Sequence, residues 1–182
     1  MELLDALSRT FDHTGAIVAG IRDDQLATPT PCSDWDVQAL LEHTLGVVNN
    51  MGNGAAGDPV VPGPATLASD RAAQFRAAAD KALAAFRGHE MTDVVDIGAG
   101  PMPVRNAVGI NVLDTATHAW DMARATGQPA DLPDDLAGTV LSLSKSLVSD
   151  AARSKRGFNP PVTVPSDASP TAQMVAFLGR QP

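Results

Sequence analysis

Asp114 and His118 stand four residues apart in Asp114-Thr115-Ala116-Thr117-His118-Ala119-Trp120-Asp121, a stretch that reads as helix. At that spacing a carboxylate and an imidazole share one helical face. A second histidine brought in from another helix would complete three ligands for a divalent metal. Three protein ligands leave a coordination position open, which separates a catalytic zinc from a structural one. The spacing alone is common in soluble helices, so its weight depends on its surroundings. The other informative stretch lies earlier, at Thr30-Pro31-Cys32-Ser33-Asp34-Trp35-Asp36 followed by Leu41-Glu42-His43.

Helices must carry these groups. Leu4, Leu7, Phe11, Val18 and Ile21 recur at helical spacing, which predicts a first amphipathic helix from about Glu2 to Arg22. Ser33 reads as an N-cap with Asp36 three residues on, a variant capping box. It opens a second helix with the apolar stripe Val37, Leu40, Leu41, Thr44, Val48 and Met51. Gly52 to Gly63 is rich in glycine and proline and reads as a loop. An alanine-rich helix is expected from about Ala68 to Arg87, then a mainly loop-like segment from Thr92 to Pro103 with room for a short extended piece.

Val104 to Thr126 predicts the helix bearing Asp114 and His118, with Gly127 placed to end it. Pro133, Asp134 and Asp135 open a further helix, whose expected core face is Leu136, Val140, Leu143, Leu147 and Ala151. Gly157 to Ser169 is Pro-rich and reads as extended, and Ala172 to Leu178 as a last turn or short helix. Long helices of this kind predict an all-α bundle.

With 182 residues and 44% hydrophobic composition, the expectation is a single domain over residues 1–182, able to bury a core without staples. The lone cysteine, Cys32, cannot form an internal disulfide, which fits a cytoplasmic protein. The amino terminus lacks a basic segment leading into an apolar run, and no apolar stretch is long enough to span a bilayer. A formal charge of −8 argues against nucleic acid as a partner.

These segments resemble the DinB-like superfamily, and within it the mycothiol-dependent maleylpyruvate isomerase N-terminal-domain group. The resemblance rests on Thr30-Pro31-Cys32-Ser33-Asp34-Trp35 with Leu40-Leu41-Glu42-His43, and on His118-Ala119-Trp120-Asp121 running on to Gly127. The tail from Gly157-Phe158 through Phe177-Leu178-Gly179-Arg180 adds to it. It implies a DinB-like four-helix bundle with long loops and an extended C-terminal tail. It also implies a zinc-type metal held by one residue of an early helix and two of a later one. Carried over by position, these are His43, Asp114 and His118. The family pattern often has a glutamate or histidine where this chain has the shorter Asp114, so a bridging water is an alternative to direct ligation.

The resemblance further implies that the open position binds the sulfur of a low-molecular-weight thiol such as mycothiol. The thiolate would attack an electrophilic substrate: an alkene, epoxide or halide for transfer, or a conjugated diacid for isomerisation. A metal-binding module without catalysis is the competing reading. The oligomeric state is open, a homodimer included.

Each site residue also has a plainer reading. On a regular helix Val112, Ala116, Ala119, Trp120 and Ala123 gather on one side, with Asp114, His118 and Asp121 opposite, as on a solvated polar face. His43 lies beside its helix's apolar stripe, so a site would sit at a helix–helix seam. Asp121 either orients a metal-bound imidazole or pairs with Arg124 or Lys145 at the surface. Cys32, just before a helix start where the dipole favours a thiolate, is a candidate nucleophile or fourth ligand, but with no histidine near it in sequence the favoured expectation is packing as a small hydrophobe against Trp35. Trp35 and Trp120 read as core or seam residues, His13 as a surface histidine, and His89 carries no assignment.

Overall fold

A computed structural model of the protein describes residues 1–32, 35–149, 153 and 158–182. It is mostly helical and divides into two compact units, Glu2–Ala130 and Asp131–Pro182. Among the described residues, no helix is long and apolar enough to cross a membrane.

The first unit contains α1 (Leu3–Gly20), α2 (Val37–Ala56), α3 (Arg71–Arg87) and α4 (Val104–Thr126), with α1 and α2 each packed against both α3 and α4. Between α3 and α4 a short antiparallel hairpin pairs β1 (Val94–Asp96) with β2 (Pro101–Pro103), Val95 opposite Met102. Among the described residues, this hairpin and an isolated bridge between Pro29 and Asp36 are the extended pairings in a chain expected to be all-α. The hairpin feeds α4 directly, because Val104 and Arg105 donate their N–H groups to the Asp93 and Met91 carbonyls at 2.8 and 3.0 Å. Gly127, at φ 71°, closes α4 in the left-handed region that glycine tolerates.

The apolar stripes point inward as their spacing requires. Leu7, Phe11 and Val18 of α1 and Val37, Leu40, Leu41, Val48 and Met51 of α2 are all buried. Asp36 is the N-cap of α2 itself, accepting the Ala39 N–H at 2.9 Å, and not the third residue of a box opened by Ser33. Ser33 lies outside the described residues.

The chain from Gly52 to Ala56 is helical, contrary to the expected loop. A Cβ at Gly52 would lie 3.0 Å from the Ala82 Cα on α3. One at Gly54 would meet the backbone at Asp96 and Ile97. These glycines serve close approach of neighbouring backbone; the helix ends only at Gly57, φ 75°. Substituting Gly52 by valine should therefore push α2 and α3 apart and destabilise the protein by about 1–3 kcal/mol, the usual cost of overpacking. Urea unfolding of the variant measures it. An unchanged midpoint would show that the seam can yield.

The second unit pairs α5 (Asp134–Leu147) with α6 (Pro170–Phe177). Leu136 and Val140 are buried as expected, whereas Leu143 and Leu147 are only half-buried and Ser144 takes a buried place between them. The Ser144 hydroxyl donates to the Val140 carbonyl at 2.8 Å, which removes the cost of burying it. Ala151 and Gly157 lie outside the described residues. From Phe158 to Ala168 the chain has no regular element, and the Arg153 guanidinium donates to the Asn159 carbonyl at 2.9 Å while lying over the Phe177 ring.

Candidate metal centre

Two helices of the first unit bring His43, Asp114 and His118 together. The ligand-capable atoms of the three lie within 4.8 Å of one another. One Asp114 carboxylate oxygen, Oδ1, stands 3.6 Å from Nε2 of His43 and 3.6 Å from Nε2 of His118. Those separations are too long for hydrogen bonds. The other oxygen, Oδ2, is buried with no hydrogen-bond partner. Such an atom carries a desolvation cost that a cation in the gap would remove. Donors about 2.0–2.2 Å from a tetrahedral zinc stand about 3.3–3.5 Å apart, close to the spacing seen here. The two imidazoles and the carboxylate therefore fit a divalent metal with borderline preferences, zinc among them.

The surroundings hold the rings in place. Trp35 lies against His43, with centroids 4.5 Å apart and planes at 31°, and meets His118 edge-on at 5.9 Å. Trp35 is itself fixed by a tight loop. The Thr30 hydroxyl donates to the Trp35 carbonyl at 2.8 Å and accepts the Cys32 N–H at 3.1 Å, while Trp35 N–H donates to the Cys32 carbonyl at 2.9 Å. Val37 N–H then reaches back to the Thr28 carbonyl, so the loop and the start of α2 form one piece.

Asp121 is fully buried, and its Oδ2 lies 3.2 Å from His118 Nδ1. This is the orienting arrangement and not a surface ion pair. It places the proton on Nδ1 and turns Nε2 towards Asp114 and His43. The polar side of α4 is not solvated: Thr115, Thr117, His118 and Asp121 are buried along with the apolar stripe. Helix phase reports which residues share a side, but α4 is covered by both α1 and α2. Its buried hydroxyls are satisfied locally, Thr117 donating to the Leu113 carbonyl at 2.7 Å and Thr115 to Asn111 Oδ1 at 3.0 Å.

Charge in the cluster is strongly coupled. Burial alone would raise the Asp114 carboxyl, but His118, with help from His43, holds it well below the usual carboxylate range. Burial alone would lower His118, yet Asp114 and then Asp121 push it up to about 9. In the metal-free protein at neutral pH, Asp114 is thus a carboxylate beside an imidazolium.

The half-buried Cys32, expected to pack as a small hydrophobe rather than to serve as a ligand, neighbours the site. Its sulfur belongs to a second group with His118 and Asp121, whose ligand-capable atoms also lie within 4.8 Å of one another. The two residues are far apart in sequence, and only folding brings the thiol to this imidazole. His13 is half-buried on α1 and not a surface residue; burial lowers its pKa and leaves Nε2 without a hydrogen-bond partner. His89, just after α3, ties that helix's end to the end of α2, its Nε2 lying 2.7 Å from the Ala55 carbonyl. Beside the cluster, with Trp35 and His43 in its wall, is a cavity of about 420 Å³.

A family profile described as mycothiol maleylpyruvate isomerase N-terminal domain matches residues 7–123, which takes in all three residues of the cluster. An uncharacterized protein of Mycobacterium tuberculosis (strain CDC 1551 / Oshkosh) is 36% identical over 99% of this chain and 98% of its own length. An uncharacterized protein from a second strain of that species matches to the same extent. Likeness of that degree over the full length of both chains, together with the profile match, places this chain in the mycothiol maleylpyruvate isomerase N-terminal-domain family.

Proposed function

We propose that the protein is a zinc-dependent enzyme of the cytoplasm that activates a low-molecular-weight thiol of the mycothiol type for S-transfer or isomerisation. His43, Asp114 and His118 are its metal ligands, and α1 to α4 form the DinB-like four-helix bundle that presents them. The whole chain works as one domain. The observation that carries this reading is the Asp114 carboxylate, whose Oδ1 stands 3.6 Å from the Nε2 of each imidazole while its buried Oδ2 has no hydrogen-bond partner, beside a cavity of about 420 Å³.

A divalent metal in this position would hold a thiol as its thiolate, a nucleophile at neutral pH. The chain's own residues prepare the place. Asp121 accepts the His118 Nδ1 proton and so fixes the tautomer with Nε2 facing the gap. Trp35 packs on the His43 ring and restricts its rotation. Asp114 contributes one negative charge, so a divalent site keeps a net positive charge that favours an incoming sulfur anion. Three protein groups leave room for that fourth donor.

Elemental analysis of untagged protein, followed by thiol titration of the cobalt-substituted form, tests the proposal. About one metal per chain is expected, and a thiol should add a sulfur-to-metal charge-transfer band while releasing a proton into the buffer. Absence of bound metal would overturn the reading. Metal without any response to thiols would leave a metal-binding module that does no catalysis.

A further inference from the structure

The cavity beside the cluster is built more specifically than a surface cleft. Its apolar wall comes from Trp35, Val47, Val60, Pro62 and Ile97, and its polar side chains are His43, Glu42 and Asn50. No lysine or arginine lines it among the described residues. The outer wall is the segment after α2, held down at several points. Ala65 N–H donates to the Glu42 carbonyl at 2.9 Å, and Val61 N–H donates to Asn50 Oδ1 at 3.1 Å. Lys81 holds Asp58 at 3.0 Å. A Cβ at Gly46 would stand 2.5 Å from the Gly63 carbonyl oxygen, so the missing side chain is what lets this segment lie on the helix.

We infer that this cavity receives the uncharged, apolar body of a small organic substrate and discriminates against dicarboxylates. Its volume falls within the range of about 300–1,000 Å³ typical of small-molecule pockets. An anion entering it would give up hydration against apolar walls and would face the Glu42 carboxylate, with no lysine or arginine among the described lining residues to offset either cost. An ester, arene or alkyl group meets neither penalty. Asn50 spends its side-chain oxygen on Val61 and Glu42 Oε1 accepts the Gln38 amide N–H at 2.9 Å, so the groups left for steering are the second Glu42 oxygen and the Asn50 amide N–H₂. Naming the guest as the electrophile rests on the proposed function. The preference for an uncharged guest rests on the cavity alone. Conjugated diacids, one of the two substrate classes the resemblance implies, are thereby disfavoured.

The test uses two compounds of one skeleton, dimethyl phthalate and the phthalate dianion, titrated calorimetrically into the full chain. Each titration is run on protein as purified and again after metal removal, so that chelation by phthalate is separated from cavity binding. The diester should bind about tenfold or more tightly than the dianion, which a single like charge a few ångströms away can produce in partly wet protein. Glu42→Lys should reverse the order, and Gly46→Val should abolish diester binding by displacing the wall. Helical circular dichroism checks that both variants fold. Glu42 is only half-buried, so its variant keeps the test alive if Gly46→Val does not fold. Equal or tighter binding of the dianion by the unaltered metal-free chain overturns the inference, as does binding of neither compound or indifference to Glu42→Lys. A chain that carries no metal as purified and still prefers the diester would sink the proposed enzyme and leave the cavity's preference standing. A metal-loaded chain that prefers the dianion after metal removal would do the reverse.

Discussion

If His43 is a metal ligand as proposed, replacing it by glutamine should lower metal affinity by more than about 100-fold, since removing even a group that only supports a ligand costs 10–100-fold. The metal-free variant unfolds within about 0.5–1 kcal/mol of the unaltered chain, because the His43 side chain keeps 31% of its surface exposed and lies beside the buried stripe. What shrinks is the linkage term. At metal concentrations 1,000 times the dissociation constant of the unaltered protein, that protein should gain about 4 kcal/mol and the variant at most about 1.4 kcal/mol. Thermal unfolding with and without excess zinc reads this directly.

His118→Gln should give the same loss of metal, and its metal-free form should be the less stable of the two. Asp121 is fully buried against His118, and weakening one partner of a buried charged pair costs up to about 3–5 kcal/mol. Glutamine softens that loss because its amide still donates. If metal raises the unfolding temperature of the His43 variant as much as that of the unaltered chain, His43 is not a ligand. If the metal-free unaltered chain does not fold at all, the metal is structural and the open position loses its meaning.

Much of this arrangement was legible because its markers are local. The bounds of α4 follow from Pro103 before it and Gly127 after it, and the structure places them at Val104 and Thr126. Apolar stripes on α1 and α2 identified buried faces, since burial there follows the 3.6-residue period. Gly52 and Gly54 misled for the opposite reason. A glycine in a helix reads as a breaker unless one knows that Ala82 and Asp96 press against it, and those contacts come from distant parts of the chain. The polar side of α4 poses the same problem, because phase alone cannot tell a solvated face from a buried seam. The pairing of His43 with Asp114 and His118 came from resemblance and not from spacing. The neighbourhood of Cys32 and the cavity over α2 had no local signal, being made by tertiary contacts of a loop pinned at Asp58, Val61 and Ala65.

Metal affinity should climb steeply with pH through the neutral range. Ligation at His118 Nε2 requires the proton there to leave, and in the metal-free protein the neighbouring carboxylates raise that group to about 9. Below that value each pH unit should raise the apparent affinity by about tenfold from this residue alone, and the rise should flatten above it. Without metal the same coupling runs the other way in stability. The His118 contribution is fully present below its ordinary value of 6.5 and is lost as pH rises through about 9. The Asp114 contribution is present above its ordinary value of 3.8 and is lost as pH falls below it towards its depressed native value. The metal-free fold should therefore gain most from this pair between 3.8 and 6.5, while the metal binds best well above that window. Competition titrations against a chromophoric chelator, with urea unfolding of the stripped protein over the same pH series, separate the two trends. Asp121→Asn removes one of the charges that raise His118, so the break in metal affinity should move to lower pH. An affinity that is flat across the neutral range would show that no proton is displaced from His118, and the cluster would then be a buried ion pair that only resembles a metal centre.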